Sequence, residues 1–136
     1  EVIGKEGAFR HIPAHIIDIA PTLLELAGGD PDGLKGKVEA PGISLVPYLK
    51  EDLIRDRPPL FFHHEHKKAI RDGNWKAVTI EADGPWELYD LSFDRGETMD
   101  LSAVETEKLQ ELVSQWNAQR DRIEREIKAE DRPDQP

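Results

Sequence analysis

Apolar and polar positions alternate most tightly between Leu60 and Leu91, and there the pattern predicts strands. Leu60-Phe61-Phe62 opens the stretch, and the polar run His63-His64-Glu65-His66-Lys67-Lys68 follows. Ala69-Ile70-Arg71 then leads into Asp72-Gly73-Asn74. The chain comes back through Trp75-Lys76-Ala77-Val78-Thr79-Ile80, turns at Asp83-Gly84-Pro85, and passes again through Trp86-Glu87-Leu88-Tyr89-Asp90-Leu91. Asp-Gly between two short apolar-bearing runs signals a hairpin, because Gly takes positive φ without a Cβ clash. Strands are expected near 59–65, 67–72, 75–81 and 86–90, as an antiparallel meander.

Helical spacing flanks this meander on both sides. Ile17, Ala20, Leu24 and Ala27 recur at helical intervals, Leu23 and Leu26 widen the stripe, and Gly28-Gly29 supplies a stop, so a helix is expected from Ile16 to Ala27. Pro21 fits only near its first turn. The segment 30–43, rich in Gly and Pro, reads as a loop, and Ser44 is placed to cap a short helix from Leu45 to Leu49. Arg55-Asp56-Arg57-Pro58-Pro59 is a polar, proline-stiffened lead into the sheet. Past the meander, Ser102-Ala103-Val104-Glu105 has capping-box spacing. Leu109, Leu112, Val113, Trp116, Ile123 and Ile127 then form one stripe, broken once by Arg120, which predicts a helix over Ser102–Lys128. The fold class is therefore α+β: a four-stranded antiparallel sheet packed against a long C-terminal helix, with one N-terminal helix. Residues 1–13 read as an N-terminal arm, 14–128 as one subdomain, and 129–136 as a disordered tail.

Composition narrows the partners. A net charge of −10 argues against a nucleic-acid backbone or an anionic membrane surface. With no cysteine, disulfides, thiolate metal sites and a cysteine nucleophile are excluded. No run is long and apolar enough to span a membrane, and Glu1-Val2-Ile3-Gly4-Lys5 lacks a signal peptide's apolar core. The absence of an initiator Met raises the expectation of a piece of a longer chain.

The candidate chemistry is sparse. His63-His64-Glu65-His66 is the one cluster with ligand chemistry; on an extended strand His64 and His66 share one face, and His63 and Glu65 the other. Two imidazoles fall short of the three or four ligands a zinc site needs, and no H-E-x-x-H is present, so a partly exposed strand end beside a ligand pocket is the better reading. Asp18 and Glu25, seven positions apart, read as a buried or capping Asp and a solvated Glu rather than a catalytic pair. Ser44 lacks the G-x-S-x-G context of a nucleophile elbow. Trp75, Trp86 and Trp116 read as core. Lys67, Lys68 and Arg71 form a small cationic group able to orient a sulfate or carboxylate. No complete active site results: no catalytic residue and no metal ligand is assigned.

Four stretches, in order, resemble the C-terminal subdomain of the arylsulfatase-type sulfatases, of the alkaline-phosphatase-like superfamily. His15-Ile16-Ile17-Asp18-Ile19-Ala20-Pro21-Thr22-Leu23-Leu24-Glu25-Leu26-Ala27-Gly28 is similar to that family's H-x-x-D-x-x-P-T-L-L-x-x-A-G helix. Pro41-Gly42-Ile43-Ser44-Leu45-Val46-Pro47 resembles its G-x-S-L-x-P turn. The segment from His64 to Lys76 resembles an H-E-G-N-R-A-[VI]-R-x-G-D-W-K hairpin, with His66 and Lys67 where Gly and Asn are frequent. The segment from Trp86 to Glu97 is close to W-E-L-Y-D-L-x-x-D-x-x-E.

The resemblance implies a parent enzyme that hydrolyses sulfate monoesters. Such enzymes use a formylglycine made within [CS]-x-P-x-R and a divalent cation, usually calcium; this chain has neither a Cys nor S-x-P-x-R, so no cofactor is assigned within it. The expected partners are the N-terminal catalytic domain of the same parent chain and a sulfate-ester substrate. The resemblance implies a periplasmic or secreted location. His64, Glu65 and Lys68, which match the hairpin pattern or follow it with positive charge, are the expected substrate-binding residues. The rival readings are a stand-alone interaction module and the same subdomain of a phosphoesterase or phosphonate hydrolase.

Overall fold

A computed structural model describes residues 4, 7–34, 42–53 and 57–130. Parts of the expected arm (1–3, 5–6), loop (35–41) and sheet lead (55–56), together with Ile54 and 131–136 of the expected tail, lie outside the described residues. The chain divides into two compact units, Glu1–Pro58 and Pro59–Pro136.

In the first unit a 3-10 turn, Ile16–Asp18, runs into helix α1, Ile19–Leu26. His15 and Asp18 cap this entry reciprocally. The His15 backbone N–H donates to Asp18 Oδ2 at 2.8 Å, and His15 Nδ1 accepts from the Ile17 N–H at 3.4 Å. Pro21 sits early in α1, where its missing N–H costs nothing, and Gly28, at φ +84°, ends the helix. A second 3-10 turn, Pro31–Leu34, falls within the expected loop. Helix α2 is Val46–Lys50. The helix starts one residue later than expected, so Leu45 and not Ser44 stands at its N-cap, while Ser44 Oγ accepts from the Val46 N–H at 3.2 Å. Arg10 closes the other end, its Nε donating to the Tyr48 carbonyl at 2.7 Å and Nη2 to Leu49 at 2.9 Å.

The expected stripe of this helix is only partly covered, with Ile17 and Leu24 half-buried and Ala20, Leu23, Leu26 and Ala27 exposed. Asp18, Pro21 and Thr22 are buried, whereas Ile16, Ile19, Leu23 and Leu26 are exposed. The inward side is polar because it is bonded. Thr22 Oγ1 donates to the Asp18 carbonyl at 2.6 Å and accepts from the Leu45 N–H at 2.8 Å. Gly42 lies so close to the Ile17 carbonyl that a Cβ there would stand 2.1 Å from the oxygen, so only glycine fits.

The second unit is the predicted meander: β1 Leu60–His64, β2 Lys67–Asp72, β3 Trp75–Thr79 and β4 Glu87–Asp90, antiparallel in the order β1-β2-β3-β4. Phe61 pairs with Ile70, Ile70 with Ala77, and Ala77 with Leu88. This register puts all four on one face, and helix α3, Thr106–Glu130, packs there through Leu112 and Trp116. Burying each such side chain contributes roughly 1.5–3 kcal/mol. Gly73, at φ +56°, makes the β2–β3 turn. β4 does not end as a bare edge, since the Leu101 N–H donates to the Leu88 carbonyl at 2.8 Å and the Leu88 N–H to Asp100 Oδ1 at 3.0 Å.

α3 starts four residues later than the capping-box spacing predicts. Ser102 Oγ donates to Asp100 Oδ2 at 2.9 Å, so it serves the preceding turn instead, and the Val104 and Glu105 N–H groups fold back onto the Leu101 carbonyl. At the far end α3 continues through Ala129 and Glu130, the first two positions of the expected tail.

Candidate functional site

The candidate site is the β1–β2 turn. Its backbone is set by pairing of His64 with Lys67, which leaves Glu65 and His66 as a two-residue connection. Glu65 takes φ +56°, a left-handed conformation that costs a residue with a Cβ about 1–2 kcal/mol. The turn breaks the strand parity assumed for the histidine run. β1 ends at His64, so His64 and His66 do not share a strand face.

His63 and His64 diverge to opposite faces. His63 lies edge-on to Trp116, with ring centroids 5.3 Å apart, on the face covered by α3. His64, Glu65, His66 and Lys67 are exposed. Lys68, across from His63, is half-buried: its ammonium stands 5.6 Å from the centroid of the Trp116 ring and donates to the Ala82 carbonyl. The cationic trio is therefore divided, with Lys67 and Arg71 on one face and Lys68 on the other. Arg71 Nε donates to the Gly73 carbonyl at 3.0 Å.

Trp116 supports this turn from below. Its ring stacks on Phe61 at 5.2 Å, meets Trp86 edge-on at 5.8 Å, and carries the Arg120 guanidinium 5.5 Å from its centroid. Its Nε1 donates to the Phe62 carbonyl at 3.1 Å, which joins the helix to β1 two residues before His64.

His64 and Lys68 therefore lie on opposite faces and are not brought together; the turn itself exposes the imidazoles of His64 and His66, the Glu65 carboxylate and the Lys67 ammonium, a set suited to a hydroxylated or anionic ligand. It holds no nucleophile paired with a base. Among the described residues no group of three or more His, Asp and Glu is placed to hold a metal ion. The described residues thus do not fit a calcium site, and the chain has no cysteine to become a formylglycine.

Two further polar centres account for the remaining sequence motifs. Asp18 accepts from four donors: Arg57 Nη1 at 2.8 Å and Nη2 at 3.1 Å, the Ile43 N–H at 3.0 Å and the His15 N–H at 2.8 Å. Burial pushes the Asp18 carboxyl up, but Arg57 and the two backbone donors outweigh it and hold it below its ordinary value. Arg57, which also donates to the Pro13 carbonyl at 2.5 Å, was not assigned from sequence; a lone Arg before two prolines carries no spacing signal.

In the other unit, Glu97 grips Lys76 Nζ at 2.6 and 2.7 Å, tying the end of the W-E-L-Y-D-L-x-x-D-x-x-E stretch to the Trp75-Lys76 pair. Asp90 Oδ1 accepts from the Ser92 N–H, and Asp94 Oδ2 from the Thr98 and Met99 N–H groups. Tyr89 is buried and donates to Glu87, and burial followed by that carboxylate pushes its phenol up to about 12.

No family model matches the chain. An uncharacterized sulfatase of Schizosaccharomyces pombe is 34% identical over 122 residues, a match covering 74% of this chain and 20% of that protein. Among solved structures, BT1596, a 2-O GAG sulfatase, is 28% identical with a TM-score of 0.50, covering 81% of this chain and 24% of its own. BT4656, solved with its substrate D-glucosamine-2-N,6-O-disulfate, shares the fold at 22% identity and a TM-score of 0.52, over 84% of this chain and 24% of its own. The chain thus spans a fifth to a quarter of the length of these relatives.

Proposed function

We propose, because the chain is a C-terminal segment of the sulfatase family, that its parent enzyme hydrolyses sulfate monoesters. The observation that carries this reading is the identity with the fission-yeast sulfatase over 122 residues, on a chain where four sulfatase-like stretches occur in family order. Calcium and the formylglycine belong to the rest of the parent, since the described residues here do not fit them. This chain carries no step of the reaction.

Its own contribution is to buttress the catalytic core and to present the β1–β2 turn to the substrate. His64 and Glu65 are exposed at that turn, and Lys68 stands on the next strand. A sugar or aryl group carrying the sulfate has hydroxyl, carboxylate or further sulfate groups that an imidazole, a carboxylate and an ammonium can hold. These contacts lie outside the reacting centre, so they act on selectivity. The test is release of inorganic sulfate from an aryl sulfate by the purified parent, beside release of phosphate from the matching aryl phosphate. Faster sulfate release is expected; faster phosphate release would overturn the sulfatase reading in favour of a phosphoesterase.

A further inference from the structure

Aspartate is followed by glycine three times in the chain, at Asp32-Gly33, Asp72-Gly73 and Asp83-Gly84. A glycine nitrogen is unshielded, because no Cβ stands beside it. It can attack the side-chain carboxyl carbon of the aspartate before it, so the three pairs share one intrinsic chemistry. The fold does not treat them alike. Asp32 lies inside the 3-10 turn Pro31–Leu34, and its N–H donates to Asp30 Oδ1 at 2.9 Å. Ring closure needs the Asp ψ swung out of the helical range that such a turn holds. Asp72 ends β2, paired with Trp75 across the tight turn, and its Oδ2 accepts from Gln115 Nε2 at 3.3 Å. Swinging that carboxyl onto Gly73 would release both.

Asp83 is held by neither device. It is exposed in the connection between β3 and β4. Among the described residues, neither its carboxylate nor the Gly84 N–H has a hydrogen-bond partner. The glycine is also required there. A Cβ at position 84 would stand 2.6 Å from Glu81 Cβ, so a bulkier residue, which would slow the attack, does not fit.

We infer that Asp83 is a site of spontaneous covalent modification, isomerising to isoaspartate through a cyclic imide, and that the fold singles it out over Asp32 and Asp72. Gly84 N bonds to Asp83 Cγ, and the carboxyl OH leaves with the amide hydrogen as water. Solvent water then opens the ring. Cleavage at the Asp83 α-carbonyl leaves the main chain running through Cγ, one carbon longer; cleavage at Cγ restores aspartate. The lengthened chain follows directly on the Ala82 carbonyl, which anchors the Lys68 ammonium.

Ageing of the full-length parent at neutral pH tests the assignment. Trypsin cuts after Lys35, Arg71, Lys76 and Arg95, so the three pairs fall in separate peptides. Each peptide is probed with isoaspartyl methyltransferase, which labels isoaspartate and not aspartate. Label should accumulate at Asp83 several-fold faster than at Asp72 or Asp32 in the folded protein, and the three rates should converge in denaturant. Asp83→Glu, whose longer side chain closes a larger ring slowly, should lose the label from that peptide and leave the other two unchanged. A folded-state rate at Asp83 no higher than at Asp72 or Asp32 overturns the assignment. So does the same ratio in denaturant, or label that persists in the Asp83→Glu peptide.

Discussion

Arg57 meets Asp18 as a two-pronged ion pair, Nη1 to Oδ2 at 2.8 Å and Nη2 to Oδ1 at 3.1 Å, across 39 positions of sequence. Both side chains are almost wholly buried. Removing one partner leaves the other charge unpaired out of water, so Arg57→Ala should destabilise its unit by about 3–5 kcal/mol. The pH dependence has a fixed sign. The folded Asp18 carboxyl lies below its unfolded value, so its contribution is full above roughly pH 4 and is lost as pH falls through the folded pKa. Melting curves between neutral and strongly acidic pH should show the wild type losing stability in that window. Asp18→Asn should start lower and lose less. A parallel acid loss in both would mean the pair does not carry it, although Asp94 and Asp100, also held low by backbone donors, keep some slope in either chain.

Trp116 is the joint between α3 and the sheet, 1% exposed and in contact with Phe61, His63, Trp86, Lys68 and Arg120. Trp116→Ala removes that packing and should cost about 3–5 kcal/mol. Gln110→Ala, on the exposed side of the same helix, should leave the melting temperature nearly unchanged. Equal melting of the two variants would refute the role given to the indole.

Glu65 holds φ +56° at the tip of the candidate site, which separates what its backbone needs from what its side chain does. Glu65→Gly should stabilise the turn by up to about 1 kcal/mol, and Glu65→Val, with a branched Cβ, should destabilise it. If the carboxylate also meets substrate, Glu65→Gly in the parent should raise the melting temperature while lowering kcat/KM on a hydroxylated ester. A rise in both would show that the side chain is dispensable there.

The sheet was legible because its cues are local. Gly73 supplies a turn, apolar residues recur at period two on either side, and all four strands appear where that pattern places them. Helix α3 was legible for the same reason, through the spacing of Leu109, Leu112 and Trp116. The misplaced start at Ser102 is a choice between two local partners: the same hydroxyl can cap a helix or serve an Asp turn, and Asp100 wins it. The polar inward side of the first helix, Asp18 and Thr22, was illegible in a different way. The spacing of Ile17, Ala20, Leu24 and Ala27, widened by Leu23 and Leu26, reports only that a face is apolar, not which side of the helix the unit buries. That choice is made by Arg57, and no spacing rule joins position 57 to position 18. At the candidate site the residues were legible and their directions were not, because the two-residue turn at Glu65–His66 resets the alternation that a longer strand would have kept.

The isolated chain should not turn over sulfate esters. It has no cysteine, no S-x-P-x-R, and no metal-holding cluster among its described residues. An assay of the purified chain with an aryl sulfate and calcium should give the buffer rate. Turnover above both buffer and a His64→Ala chain would place chemistry at the first hairpin and overturn the division of labour proposed here.

The sharpest functional test separates His64 from Lys68. His64 is exposed at the end of β1, whereas Lys68 already donates to the Ala82 carbonyl and stands over Trp116. Lys68→Ala should therefore lower stability, and activity with it, because the cation braces the sheet against α3. His64→Ala should leave the stability within about 0.5 kcal/mol of wild type, as exposed substitutions usually do. In the full-length enzyme it should nevertheless reorder kcat/KM among chemically different sulfate esters, losing about 1–3 kcal/mol on those whose groups reach the turn. Three esters suffice: an aryl sulfate, a neutral sugar sulfate and a sugar carrying a second anionic group. A change confined to one or two of them places His64 against the substrate outside its sulfate. A uniform loss, or none, on all three would leave the hairpin as scaffold.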